Sequence, residues 1–168
     1  KLDVDAANND LAAERKKTKS FMQLDYGEQS VDELYDLLFY GDMRIRQKAQ
    51  FELVNRGKKG GEAFKKAIGQ RKNQLARIHG IWGLGQLAAQ NASYAESFIP
   101  LLEDIDPEII AQAERVIGDV KYNQAGEQLV PLLENKNARV QFFAAQALGR
   151  IKFKEAATPL LTMLEKND

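Results

Sequence analysis

Four segments of the sequence repeat one pattern of side chains at intervals of 31 to 33 residues. An apolar residue recurs as Ile45, Ala76, Ile109 and Val140, at spacings of 31, 33 and 31. Because a unit of this length cannot bury its own apolar face, the repeat predicts a stacked array of similar units. Three further columns keep the same register: a small residue (Ala49, Gly80, Ala113, Ala144), a large apolar residue (Leu53, Leu84, Ile117, Leu148) and an Asp or Asn (Asp42, Asn73, Asp106, Asn137).

The fourth repeat, residues 124–151, shows the predicted structure of each unit. Apolar residues such as Leu129 and Leu133 fall at helical spacing, and residues 135–137 then break the pattern. After the break, one apolar stripe runs at i, i+4, i+7, i+8 and i+11, which is typical of an amphipathic helix. Asn137 is placed to cap this second helix through its side-chain oxygen. The sequence therefore predicts pairs of helices joined by short turns, and an all-α fold.

The array is predicted to occupy residues 30–168, and residues 1–29 are predicted to be a linker and N-terminal helix that lead into it. Residues 1–9 are expected to be disordered or extended, with Asp10 capping a helix over residues 11–23. The capping residue Asn137 is matched 31 residues later by Asp168, which leads us to expect that the chain is cut within the fifth repeat of a longer array.

Glycine and proline make three local predictions within the array. Three glycines of the helix over residues 74–89, at positions 80, 83 and 85, predict the close approach of a neighbouring helix. Pro100 and Pro131 lie inside the first helices of their repeats and are expected to kink them. The first helix of the second repeat is expected over residues 61–69.

Charge and composition argue against several classes of function. The 168 residues carry 24 basic and 24 acidic side chains, so the net charge is zero and general attraction to nucleic acid or anionic membrane is not expected. There is no cysteine, so disulfides and cysteine-ligated metals are excluded. No apolar run approaches the roughly 18 residues typical of a membrane span.

No pattern in the sequence predicts catalysis, a cofactor or a metal site. His79 is the single histidine, and nothing around it resembles a nucleophile elbow. We interpret it as a polar or half-buried helix residue. The Gly83–Gly85 segment follows no predicted strand, which argues against a phosphate-binding loop. The acidic groups near residues 32–33 and 103–106 are expected to serve turns and helix caps.

The second helices carry a row of large side chains outside the main apolar stripe, and this row is the candidate interaction surface. Such side chains either pack sideways against adjacent second helices or form a concave docking surface, since aromatic residues and Arg are favoured at interfaces. The basic groups at 71–77 and 150–154 are expected to be solvated rather than to contact phosphates. The candidate residues are Phe51, Trp82, Arg115, Phe142, His79, Arg77 and Arg150.

The segments 99–110 and 140–151 resemble the HEAT-repeat superfamily, and the resemblance covers about residues 30–168. It implies a right-handed α-α superhelix, a HEAT-like solenoid of about four and a half helical-hairpin repeats, whose second helices line a concave partner-binding surface. The family's inter-repeat ladder of Asp and Arg is only partly matched. Arg46 and Arg77 match its arginine, whereas Ile110 and Gln141 do not.

A narrower resemblance joins the segments 42–53, 73–87 and 139–149 to the HEAT part of large bacterial proteins that also contain a sugar-dehydrogenase-like β-propeller and a c-type cytochrome domain. It implies a periplasmic or extracellular location, with the catalysis in other domains. The leading prediction is a non-catalytic scaffold that binds a protein or a neighbouring domain of its parent chain. The alternatives are a nucleic-acid-binding solenoid, which zero net charge disfavours, and the HEAT part of an exported dehydrogenase-like protein. The oligomeric state is left open.

Overall fold

In a computed structural model, the chain folds into a row of helices, and the structure describes residues 9–166. The predictions for residues 1–8 and for Asp168 lie outside this part. Within the described residues all regular structure is helical. The α-helices are α1 (Asn9–Met22), α2 (Val31–Leu37), α3 (Met43–Asn55), α4 (Lys58–Ile68), α5 (Gln74–Ala88), α6 (Pro107–Asp119), α7 (Gly126–Leu129), α8 (Ala138–Ile151) and α9 (Ala157–Lys166). Segments of 3₁₀ helix cover Ala92–Glu103, Asn123–Ala125, Val130–Glu134 and Lys154–Ala156.

The helices pair as the repeat predicts, and the repeated columns form the core. The second helices α3, α5, α6 and α8 lie side by side, each packed against the first helix of its own repeat. The apolar column that opens each second helix is fully buried in all four repeats. The columns four and eight places later are buried as well. Burial of this apolar surface is the main force that stacks the repeats.

The four predicted capping residues all cap their helices. Asp42 accepts a hydrogen bond from the backbone N–H of Arg44 at 2.9 Å. Asn73, Asp106 and Asn137 do the same for the second helices of the later repeats, at 2.9, 3.0 and 2.9 Å. Each bond satisfies an N–H group that has no partner inside the helix. The turns therefore fix where every second helix begins.

The first helices of the third and fourth repeats differ from the prediction of kinked α-helices. Residues Ala92–Glu103 form 3₁₀ helix throughout, and in the fourth repeat the short α7 gives way to 3₁₀ helix at Val130. Pro100 and Pro131 explain the change, because proline donates no N–H and its ring clashes with the carbonyl four residues earlier. The tighter 3₁₀ winding replaces a kink.

Two helix starts also differ from the sequence prediction. α4 begins at Lys58 rather than at residue 61. Its early start brings Gly60 against α3, where a side-chain Cβ would lie 1.7 Å from the carbonyl oxygen of Leu53. α1 begins at Asn9, so Asp10 lies inside the helix and not at its cap.

The glycines of α5 permit the close helix packing that the sequence predicts. A Cβ at Gly83 would lie 2.2 Å from Cζ of the fully buried Phe64 in α4. We expect Gly83→Ala to lower the free energy of unfolding by about 1–3 kcal/mol, because the ring must shift within a filled core. Urea denaturation measures the change.

Gly149 provides the matched control for this substitution. It also lies inside a helix, α8, but a Cβ there would meet nothing within 4 Å. Gly149→Ala is expected to stabilise the protein by up to about 1 kcal/mol, since alanine is the better helix former. Equal effects at the two positions would contradict the packing explanation.

Candidate interaction surface

Three successive second helices form an open groove of about 560 Å³, here called the aromatic groove. Phe51, Trp82 and Arg115 come together in it, as the row on the second helices predicts. Its walls differ in chemistry from one helix to the next. The groove is lined by Met43, Gln47 and Phe51 of α3, His79, Trp82 and Gln86 of α5, and Arg115 and Asp119 of α6.

The two aromatic rings of the groove differ in how they are held. The indole of Trp82 is half-buried against the core, and its Nε1–H donates to Oε1 of Gln112 at 2.8 Å. Gln112 in turn donates to Glu108 at 2.7 Å. Because the indole has no other polar atom, Trp82 offers apolar surface to the groove. Phe51 is 47% exposed and belongs to no buried cluster.

His79 lies at the base of the groove and is buried rather than exposed. Its Nδ1 is 2.7 Å from Oε1 of Gln50, and Nε2 of Gln50 donates to Gln86 at 3.0 Å. Since an amide oxygen only accepts, Nδ1 carries the proton in this pair. Burial, with a smaller effect from Arg46, lowers the pKa of His79 from 6.5 to about 4. The imidazole is therefore neutral at physiological pH and engaged in a structural hydrogen-bond chain.

The end of the groove at α6 carries a small excess of positive charge. Nε of Arg115 lies 3.9 Å from Oδ2 of Asp119. The guanidinium of Arg150, from α8, contacts the other oxygen of the same carboxylate. The guanidinium groups of Arg115 and Arg150 therefore share the carboxylate of Asp119. All three side chains are close to half exposed. A carboxylate of a partner would find complementary charge here.

Arg77 is not part of the exposed surface, and its assignment as solvated charge is wrong. The side chain is buried and pairs with Asp104 through both guanidinium nitrogens, with Nη1 donating to Oδ1 at 3.2 Å. Its Nε donates to the carbonyl oxygen of Ile68 at 2.8 Å. The hydrogen bond from Arg77 lowers the pKa of Asp104. This ion pair joins the second repeat to the third, at positions where the HEAT resemblance implies a ladder of Asp and Arg.

Among residues 9–166 no second ion pair of this kind joins two repeats, because the residues at the equivalent positions do not match. Arg46, the equivalent arginine of the first repeat, is also buried, but it donates to the carbonyl oxygens of Tyr40 and Gly41 at 2.7 Å each. The position equivalent to Asp104 in the second repeat is Arg71. In the fourth repeat Asn135 takes that position, and Ile110 stands where its arginine would be.

Phe142 lies apart from the aromatic groove, on α8. It is 58% exposed and contacts the ring of Phe143, with the ring centroids 5.2 Å apart. Phe143 packs against the buried pair Ile110 and Val140 and receives the guanidinium of Arg139 at 5.0 Å. The structure therefore does not unite all the candidate residues into one surface.

Glu114 is a buried charged group that the sequence analysis did not single out. It is fully buried in α6, and neither of its side-chain oxygens has a hydrogen-bond partner among the described residues. Burial raises the pKa of Glu114 from 4.5 to about 9, so the carboxyl is protonated at neutral pH. The repeat register indicates that position 114 is buried, because it is equivalent to Ile81 of the second repeat, and Ile81 is fully buried.

Packing places Glu114 between α6 and α8. Ile110, four residues before it, clusters with Val140 of α8. Four residues after it, a Cβ at Gly118 would lie 3.0 Å from Cα of Ala147, also in α8. Residues four apart share a helix face, so the Glu114 carboxyl lies in this interface. It sits in the wall behind the groove and not among the groove's lining residues.

Other kinds of site receive no support from the described part of the chain. There, no three His, Asp or Glu side chains come together as ligands for a metal ion. Among the helices of residues 9–166, none has the length and apolar character to span a bilayer.

The comparisons with known proteins agree with the fold. A family model described as HEAT repeats matches residues 95–168. One chain from the structure of the complex of CpcE and CpcF of phycocyanin lyase from Nostoc sp. PCC7120 is similar, with a TM-score of 0.63 and 18% identity over 81% of this chain and 86% of that chain. An engineered protein is similar with a TM-score of 0.51 and 20% identity, over 81% of this chain and 68% of that chain. No curated protein matches the sequence.

The fold and these matches define the class of the molecule. It is an all-α superhelical repeat protein, and HEAT repeats are recognised in residues 95–168. The expected all-α solenoid is thereby confirmed. None of the matches bears on the narrower resemblance to propeller and cytochrome proteins, which stays a prediction.

Proposed function

We propose that the protein is a non-catalytic interaction module, and that its aromatic groove binds an apolar segment of a partner protein or of a neighbouring domain. The segment would place aliphatic or aromatic side chains against Phe51 and Trp82. It would place an acidic group near Arg115 and Arg150.

The exposed ring of Phe51 beside Trp82 is the observation that carries the proposal. Phe51 is 47% exposed in a groove that three second helices build together. Exposed aromatic groups in a concave surface are typical of protein-binding sites, where Trp, Tyr and Arg supply much of the binding energy. The alternative of sideways packing accounts for Trp82, which contacts Gln112, but not for the exposed face of Phe51.

The polar groups of the groove favour binding over catalysis. With a pKa of about 4, the buried His79 is a weak base and is scarcely protonated at neutral pH, so it is suited neither to accept nor to donate a proton in catalysis. Its Nδ1 is also hydrogen-bonded to Gln50. The side chains of Gln47 and Gln86 can donate and accept hydrogen bonds with the backbone of a bound segment. One structural relative takes part in a complex of two proteins, which is the kind of role proposed here.

The proposal is tested with peptides selected from a displayed library on the intact protein. Trp82 is the only tryptophan of the chain, so its fluorescence reports directly on the groove. We expect selected peptides to be apolar with an acidic residue, and to shift the Trp82 emission on titration. Phe51→Ala should weaken their binding at least about tenfold, the effect of losing a central aromatic anchor.

The exposed Ile105 provides the matched control, because it lies 87% exposed on a turn outside the groove. Ile105→Ala should leave peptide affinity unchanged, and Arg115→Glu should weaken acidic peptides more than neutral ones. Selected peptides that bind equally to the wild type and to Phe51→Ala, with no change in Trp82 emission, would rule out the groove as the docking site.

A further inference from the structure

One ring nitrogen of His79 is a hydrogen-bond acceptor at the base of the aromatic groove. Nδ1 carries the proton that it shares with Oε1 of Gln50, so Nε2 presents a lone pair. Nε2 has no hydrogen-bond partner among the described residues, and it is not closed off from solvent as the carboxyl oxygens of Glu114 are. Because the side chain as a whole is only 2% exposed and lines the groove, Nε2 is reached through the groove.

This acceptor affects the affinity of any segment that fills the groove. A bound segment displaces the water around Nε2, and a buried acceptor that is left unpaired costs about 1–3 kcal/mol. A segment that brings its own hydrogen-bond donor to Nε2 avoids this cost. The groove therefore discriminates between segments that carry a donor at this point and segments that are apolar there.

The surroundings of Nε2 favour a neutral donor over a charged one. Burial lowers the pKa of His79 to about 4, which shows that the base of the groove opposes positive charge. Asp119 is the one acidic residue among those that line the groove, and its carboxylate already contacts Arg115 and Arg150. The ammonium group of a partner's lysine would therefore find no counter-charge beside Nε2.

The side chains beside Nε2 are aromatic, and they favour an aromatic occupant. The ring of Trp82 lies edge-to-face with His79, with the centroids 5.1 Å apart and the planes at 69°. Phe51 faces the same groove from α3. Rings pack favourably against such neighbours. Tyrosine adds a neutral donor at the tip of its ring, where it reaches the base of a groove whose walls contact the ring.

We propose that the aromatic groove selects a tyrosine of the bound segment, whose ring packs between Phe51 and Trp82 and whose hydroxyl donates to Nε2 of His79. The inference rests on the proposed function and adds the side chain that the groove prefers. His79 is then a specificity-determining residue that contacts the partner through one nitrogen and is held in place through the other.

The first test observes the hydrogen bond directly. His79 is the only histidine of the chain, so the ¹⁵N NMR signals of a labelled imidazole belong to it without further assignment. In the free protein we expect a protonated Nδ1 and an unprotonated Nε2. A tyrosine-containing peptide selected on the groove should hold Nε2 at the frequency of a hydrogen-bonded nitrogen. The same peptide with Tyr→Phe should move it to that of a nitrogen without a partner. A protonated Nε2 in the free protein would overturn the proposal.

The second test measures the preference as a ratio of affinities. Titration followed by Trp82 emission should show that Tyr→Phe in the peptide weakens binding about tenfold, the effect of one lost hydrogen bond with its acceptor left buried. His79→Phe should abolish the ratio. His79→Gln should restore part of it, because an amide can donate to Gln50 while its oxygen accepts from the hydroxyl. Both residues already occupy the equivalent helix position in later repeats, as Gln112 and Phe143.

The results separate this proposal from the proposed function. Peptides that change the Trp82 emission and lose affinity for Phe51→Ala, but bind equally well with Tyr or Phe, would overturn the tyrosine preference and leave the docking site in place. Peptides that bind with no change in Trp82 emission, and equally to Phe51→Ala, would overturn both. Ile105→Ala, outside the groove, should leave the Tyr-to-Phe ratio unchanged. If His79→Phe does not fold, the ratio in the wild type and in His79→Gln still decides.

Discussion

Glu114→Gln is expected to raise the free energy of unfolding by about 3 kcal/mol at pH 7. The folded protein holds the Glu114 carboxyl protonated, with a pKa of about 9, whereas the unfolded chain ionises near 4.5. The folded state therefore binds more protons, and stability that is fully present below pH 4.5 is lost as the pH rises towards 9. Glutamine keeps the size of the side chain and removes the titration. It also occupies the equivalent position of the first repeat, as Gln50.

The pH dependence distinguishes this explanation from a general effect of the substitution. The difference in unfolding free energy between the variant and the wild type should grow by about 1.4 kcal/mol per pH unit between pH 5.5 and 7.5. Urea denaturation at each pH measures it. His79 contributes equally to the unfolding free energy of the variant and of the wild type, so its titration cancels in the difference between them. Glu103→Gln makes the same chemical change at an exposed side chain and is the matched control.

A constant difference across this pH range would show that Glu114 is ionised in the folded protein. The carboxyl would then need a counter-charge in the interface of α6 and α8. Arg150 is the group to examine in that case, because the pair Gln50 and Gln86 hydrogen-bonds across the equivalent positions, which are likewise 36 residues apart. In the structure Arg150 contacts Asp119 instead.

Asp104→Asn is expected to destabilise the protein by about 3–5 kcal/mol, because it leaves the buried guanidinium of Arg77 without a counter-charge. The substitution removes the negative charge of residue 104 without disturbing the local turn, because an asparagine at this position can form the same turn. Asp104 Oδ1 accepts from the N–H of Asp106 at 2.9 Å, and Asn135 makes the same bond to Asn137 at 2.9 Å in the fourth repeat. Chemical denaturation at neutral pH measures the loss.

A double-mutant cycle separates the ion pair from other effects of the change. Arg77→Leu combined with Asp104→Asn should cost less than the sum of the single changes, because no unpaired charge stays buried. Asp106→Asn is the matched control, since Asn73 and Asn137 already act as caps at this position. It should change stability by less than about 0.5 kcal/mol. Additive single effects would mean that Arg77 and Asp104 stabilise the protein independently.

The repeat register is what the sequence alone determined about this protein. Caps, core columns and turns recur along the chain, and each depends on near neighbours or on one helical period. The four N-caps and the buried columns of the second helices were therefore predictable residue by residue. So was the close packing at Gly83, because a glycine inside a helix that lies in an array indicates a close neighbour.

The tertiary structure decided the positions of the charged groups and the form of the first helices. Arg77 looked like solvated charge because its partner, Asp104, is 27 residues away and meets it only after two repeats have stacked. No prediction was made for Glu114, because its burial depends on the packing of α6 against α8. Pro100 indicates a disturbed helix from the sequence, but only the structure shows that Ala92–Glu103 winds as 3₁₀ helix rather than as a kinked α-helix. Stacking also brought Phe51 and Trp82 into one groove and left Phe142 outside it, because contacts between repeats form only in the assembled array.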